Sequence, residues 1–130
     1  FLSQLLYHGK KLYLKEKLLP LVESERLIGY SKEQLEWARS EEIMIWQFFI
    51  QRELLYSSDA DLRRRFLDVG PFTKFYLSID NETPPRLGQF IGWQIVKAYA
   101  DKHPDQSLED IIKLDYQDIF DNSKYKPKNE

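Results

Sequence analysis

The stretch at residues 43–50, Ile-Met-Ile-Trp-Gln-Phe-Phe-Ile, restricts this chain more than any other. Only Gln47 interrupts it, and it lies within a longer pattern of helical period, so no single face can hold all its apolar side chains. A helix that is apolar nearly all round calls for neighbours on all sides. The expectation is an all-α domain, several helices gathered around a central apolar helix at about residues 32–56 with Trp46 buried. Ser31-Lys32-Glu33-Gln34 supplies its start as a capping box, the Ser hydroxyl taking the amide of Gln34. The run is far short of the roughly 20 apolar residues a membrane span needs.

The other elements follow from periodicity and punctuation. Leu5, Leu6, Leu12, Tyr13 and Leu19 repeat on one face of a first helix over residues 2–19, with Pro20 as the stop. Residues 23–30 read as a loop pivoting on Gly29. A short helix precedes Gly70-Pro71 and ends near Leu67. Its Arg63, Arg64 and Arg65 point in three directions, so they form no single basic stripe. Residues 72–79 alternate weakly and predict a short extended piece. Thr83 and Pro84 predict a helix start, Thr83 as the cap and Pro84 at the first helical position, the helix running from Arg86 to about Ala100. Pro104 and Ser107-Leu108-Glu109-Asp110 open a last pair of short helices. The sequence thus divides into one helical domain at 1–122 and a polar tail at 123–130.

With 130 residues there is room for one ordinary domain. Apolar residues at 42% and aromatics at 15% are enough for a core and exclude a disordered tail. The net charge of −2 argues against phosphate-backbone binding, so no nucleic-acid partner is expected. The absence of Cys removes disulfides, thiolate metal sites and cysteine nucleophiles from this chain. No basic-then-apolar leader is visible. The chain begins inside an amphipathic pattern, as expected of a piece of a larger domain extending upstream.

Chemistry-bearing residues are few. Glu42 falls on a face with Leu35, Ala38, Ile45, Trp46 and Phe49, where a carboxylate must find a partner or have its pKa raised. Either an ion pair or a site role would satisfy it. Gly88 and Gly92 stand one turn apart, each costing about 1 kcal/mol in a helix interior. They leave a bare strip beside Trp93 where a neighbouring helix, or a ligand, can touch backbone. Arg86 sits at the unfavourable end of a helix dipole, which a local Asp80 or Glu82, or a bound anion, would relieve. Glu42, Trp46, Arg86, Gly88, Gly92 and Trp93 are therefore the candidate pocket or groove. The two histidines, His8 and His103, are far apart. There is no His-Glu-x-x-His, no Gly-x-Ser-x-Gly elbow and no phosphate-cradling glycine loop. No catalytic residue and no cofactor is assigned on these grounds.

Several segments carry a family resemblance: Tyr7-His8-Gly9-Lys10-Lys11-Leu12-Tyr13, Leu27-Ile28-Gly29-Tyr30, Leu35-Glu36-Trp37, Leu54-Leu55-Tyr56-Ser57 and Gly70-Pro71-Phe72-Thr73. The most specific are Gly92-Trp93-Gln94-Ile95-Val96, downstream of the Pro-Pro-Arg-Leu-Gly start, and Ser123-Lys124-Tyr125-Lys126-Pro127. In this order they resemble the C-terminal half of the gliding-motility lipoprotein B (GldB) family of Bacteroidetes. The resemblance implies a lipidated protein of the bacterial cell envelope, periplasm-facing or at the outer membrane, anchored through a Cys upstream. It implies support of gliding and type IX secretion through contacts with envelope proteins of that machinery. The membrane would be met only through that anchor. The family in turn resembles zinc-dependent, zincin-like helical proteases, which implies an alternative: the C-terminal half of a zinc peptidase with His8 as a ligand. The family pattern has Glu where this chain has His8, and either residue can hold zinc.

Overall fold

A computed structural model describes residues 1–68 and 83–127. The extended piece expected at 72–79 lies outside them, as do Asp80 and Glu82. Among the described residues there are eight α-helices and no strand, so the all-α expectation holds. They are α1 (Leu2–Leu18), α2 (Ser24–Ile28), α3 (Lys32–Ser40), α4 (Glu42–Gln51), α5 (Asp61–Phe66), α6 (Leu87–Lys102), α7 (Leu108–Lys113) and α8 (Tyr116–Ser123).

The expected central helix is two helices, and it is not the centre. Between α3 and α4 the backbone of Glu41 leaves helical geometry (φ −106°, ψ 12°). Just before it, the Ser40 hydroxyl donates to the Trp37 carbonyl at 2.9 Å, a local bond that competes with the helical ladder. The start is as read: Ser31 Oγ accepts from Gln34 N and the Gln34 side chain accepts from Ser31 N. The end comes before residue 56. Glu53 adopts a left-handed φ of 54°, and the Leu54 amide reaches back to the Phe49 carbonyl at 3.0 Å. Of α4, only Ile45 and Phe49 are buried; Ile50 is 47% exposed. Trp46 is half-buried rather than enclosed.

The centre is α6. Leu87, Phe90, Ile91, Trp93, Ile95, Val96 and Tyr99 are all buried on it. Its most extensive contact is with α1, and α8 covers another side. The reason is backbone geometry. A Cβ on Gly9 of α1 would lie 2.2 Å from the Gly92 oxygen, and one on Gly92 would lie 1.9 Å from the Leu5 oxygen. The two helices therefore cross with main chain on main chain, Leu5 lying directly on Gly88 and Gly92, and Leu2, Leu6 and Leu12 of the same helix are buried with it. A Cβ on Gly88 would meet the Leu67 side chain at 2.8 Å and the Phe66 oxygen at 2.9 Å, so the segment ending α5 closes the next turn.

Two further expectations need correction. The segment 23–30 contains the short helix α2, ended by Gly29 at φ 79° as its left-handed cap. And α6 begins at Leu87, one residue from the expected Arg86, but its cap is Arg86 itself, left-handed at φ 58°, rather than Thr83, and Pro84 lies ahead of the helix. Thr83 is buried ahead of it. The last pair of helices opens as read, with Ser107 and Asp110 forming a second capping box.

Candidate functional site

The carboxylate of Glu42 finds its partner in the segment read as a polar tail. Tyr125 Oη donates to Glu42 Oε2 at 2.6 Å. Lys124, the cap of α8, is left-handed (φ 51°), which turns the chain back over α4. Ser123 is fully buried, its hydroxyl accepting from the Tyr125 amide at 3.1 Å and donating to the Phe120 carbonyl at 2.8 Å. Tyr125 then stands edge-on to Trp46, ring centroids 4.9 Å apart, with Phe120 at 6.1 Å on the same indole. Burial raises the Glu42 pKa; the Tyr125 hydrogen bond and the nearby Lys97 and Arg39 charges oppose the rise. Burial and the Glu42 charge push the Tyr125 hydroxyl the same way, so it stays a donor.

This strap separates two clefts. On one side, Glu42 and Tyr125 share an open cavity of about 530 Å³ with Lys97, Asp101, Lys102 and Lys126. On the other, Ile43, Trp46, Gln47 and Ile50 line one of about 270 Å³, with Lys126 and Pro127 as its lip. The second is the more apolar. Beyond Ile50 the surface continues over Leu55 to Tyr56, which is 66% exposed.

The other candidates are built into the scaffold. Gly88 and Gly92 face α5 and α1, and the strip they leave bare is filled by Leu5, Phe66 and Leu67. Trp93 is buried, its indole N–H donating to Glu16 Oε1 at 3.0 Å, with Lys97 over its ring at 5.1 Å and 3.6 Å from the other Glu16 oxygen. Arg86 does not stand inside a helix N-terminus. Its Nη2 donates to the carbonyls of Ile28 (2.9 Å) and Gly29 (3.1 Å), capping the C-terminal end of α2, where a cation is favoured. Tyr30 Oη seals the same corner by donating to the Pro85 carbonyl at 2.6 Å. The structure thus brings Glu42 and Trp46 together and leaves Arg86, Gly88 and Gly92 elsewhere.

His8 lies beside Tyr7, Lys11 and Arg63 around a cavity of about 460 Å³. Burial lowers its pKa, and the Lys11 and Arg63 charges lower it further, with Asp68 opposing. Among the described residues no three His, Asp or Glu side chains converge, so by themselves they assemble no zinc site; His8 has the Lys11 and Arg63 cations and the Asp68 carboxylate near it. Tyr125, Gly9 and Glu16 are not among the candidate pocket residues read from the sequence. Gly9 carries a signal, a glycine inside a helical pattern, and Tyr125 lies within the Ser-Lys-Tyr-Lys-Pro family segment; what neither signal names is the partner, Gly92 for one and Glu42 for the other.

The fold and clefts define a helical domain organised around a glycine-mediated helix crossing, with a half-open aromatic face. The chain matches the family model described as gliding motility protein GldB over residues 1–127, and it belongs to that family. Membership makes it a gliding-motility lipoprotein-type protein of the cell envelope. No curated protein and no solved structure matches it. No helix among the described residues is long and apolar enough to cross a membrane.

Proposed function

We propose that this chain is a non-catalytic module that supports gliding and type IX secretion by holding other envelope proteins, with the outer face of α4 as its contact surface. The observation that carries the reading is the apolar stripe Ile43, Trp46 and Ile50, left open in a helix whose opposite side is already buried. A stripe of this kind, rimmed by Gln47, Gln51 and Lys126, has the apolar centre and polar edge of a protein interface. The half-buried Trp46, held by Tyr125 and Phe120, is a ready aromatic anchor.

Ile50→Arg in the full-length protein tests it. Ile50 is half exposed, so the variant is expected to fold, reach the envelope and melt as wild type does, yet abolish spreading and lower secretion. Normal gliding and secretion by cells making only this variant would reject the α4 surface.

A further inference from the structure

The turn that joins α1 to α2 exposes four consecutive apolar residues. Leu18 is 64% exposed, Leu19 47% and Leu21 97%, with Pro20 exposed between them. Runs of exposed apolar residues of this length are selected against unless they do something. Half of the six most exposed large hydrophobic side chains among the described residues lie here, in a span of four. The turn is not slack. The Leu19 amide bonds the Lys15 carbonyl at 2.9 Å and the Val22 amide bonds the Leu19 carbonyl at 3.0 Å. Val22 is anchored against the core, so the leucines are presented by a fixed support.

The flanks are charged. Lys15 and Lys17 stand exposed on the last turn of α1, Lys17 lying over the Tyr13 ring at 5.4 Å. Glu23, Glu25 and Arg26 follow on the α2 side, and the Glu16 carboxylate is already engaged by Lys97 and Trp93. Leucine is poorly suited to act as a protein hot spot, and a side chain 97% exposed protrudes beyond any pocket of its own. A protruding apolar turn with lysines one helical turn behind it suits a bilayer: leucines enter the acyl boundary while the lysine stems lie along it and hold their ammonium groups at the headgroups. Membership in a lipoprotein family puts a membrane beside the domain.

We propose that the Leu18–Leu21 turn is a membrane-contact tip that inserts into the surface of a bilayer bearing anionic headgroups, fixing the orientation of the domain on it. This does not depend on the α4 contact surface, and either can fail alone.

Residues 1–130 hold no cysteine, so in the full-length acylated protein, with any unacylated cysteine outside them replaced by serine, a Leu21→Cys substitution takes one environment-sensitive fluorophore. In vesicles of phosphatidylethanolamine and phosphatidylglycerol the label is expected to shift to the blue and be quenched by a lipid-borne quencher. The same label at Glu109→Cys, on exposed α7, stays aqueous. Adding Leu18→Asp to the labelled protein lowers the inserted fraction roughly ten-fold or more. A label at 21 that remains open to aqueous iodide on vesicles overturns the proposal. So does one already in an apolar setting before vesicles are added, since protein rather than lipid then covers the turn.

Discussion

On α6, Phe90, Ile91, Trp93, Ile95 and Val96 are all enclosed; on α4, a more continuously apolar helix, only Ile45 and Phe49 are. The difference lies in what each helix lets its neighbours do. Gly88 and Gly92 remove side chains from α6 where α1 and α5 arrive, and Gly9 does the same on the opposing helix. Main chain can then meet main chain, and every flanking side chain of α6 is driven into contact. On α4 no such gap exists. Its neighbours rest on one stripe, and Ile43, Trp46 and Ile50 are left for the Tyr125 strap to cover in part. Centrality in this fold follows closeness of approach more than count of apolar residues.

That contrast can be broken at either helix. The largest effect is expected at the crossing: Gly92→Leu should cost at least about 3 kcal/mol, the upper end of overpacking, because the atoms it meets are the backbone of Leu5 and cannot step aside. Urea unfolding measures it, and a wild-type midpoint would show that the helices part freely. Trp46→Ala removes a whole indole yet should cost less, about 2 kcal/mol, since the ring is only half enclosed. Should the order reverse, α4 is the true core. Tyr125→Phe deletes the hydroxyl on Glu42 and is expected to cost about 1 kcal/mol, a charged hydrogen bond discounted for its partial exposure.

The smallest effect concerns pH. The folded pKa of Glu42 is raised, so the folded state holds this proton more tightly than the unfolded chain does. Its contribution is therefore fully present below the ordinary carboxylate range and is lost as pH climbs through the raised value. Glu42→Gln should flatten that limb of the stability–pH curve. It should leave untouched the acid-side loss from His8, whose lowered pKa means that stability falls as pH drops below the usual histidine range. A wild-type slope in the Gln variant would place the titrating group elsewhere.

Three turns of the backbone escaped the sequence for one reason. Glu53, Arg86 and Lys124 each take the left-handed conformation that usually announces itself as glycine. Glu53 ends α4 early, Arg86 delays α6 past its prolines, and Lys124 turns the tail back as a strap. Two are sustained by tertiary contacts, the Arg86 guanidinium on the α2 carbonyls and Tyr125 on Glu42 and Trp46, while at Glu53 the bonds are local, its own amide to the Ile50 carbonyl and the Leu54 amide to Phe49. Where the signal was local it was legible. Both Ser capping boxes and the left-handed Gly29 are where their residues place them. Glu42 was legible as a carboxylate needing company, because burying charge beside apolar residues always demands an answer; which residue answers was not.

The sequence by itself determined that this chain is helical, that its helices start at Ser31 and Ser107, and that it belongs with the gliding-motility GldB family, since periodicity, caps and motifs are properties of neighbours along the chain. Tertiary structure alone decided that α6 rather than α4 is the hub, that Gly9 and Gly92 meet, and that Tyr125 returns to Glu42. Those depend on atoms far apart in sequence reaching one place, and no local preference encodes how closely two distant backbones can approach.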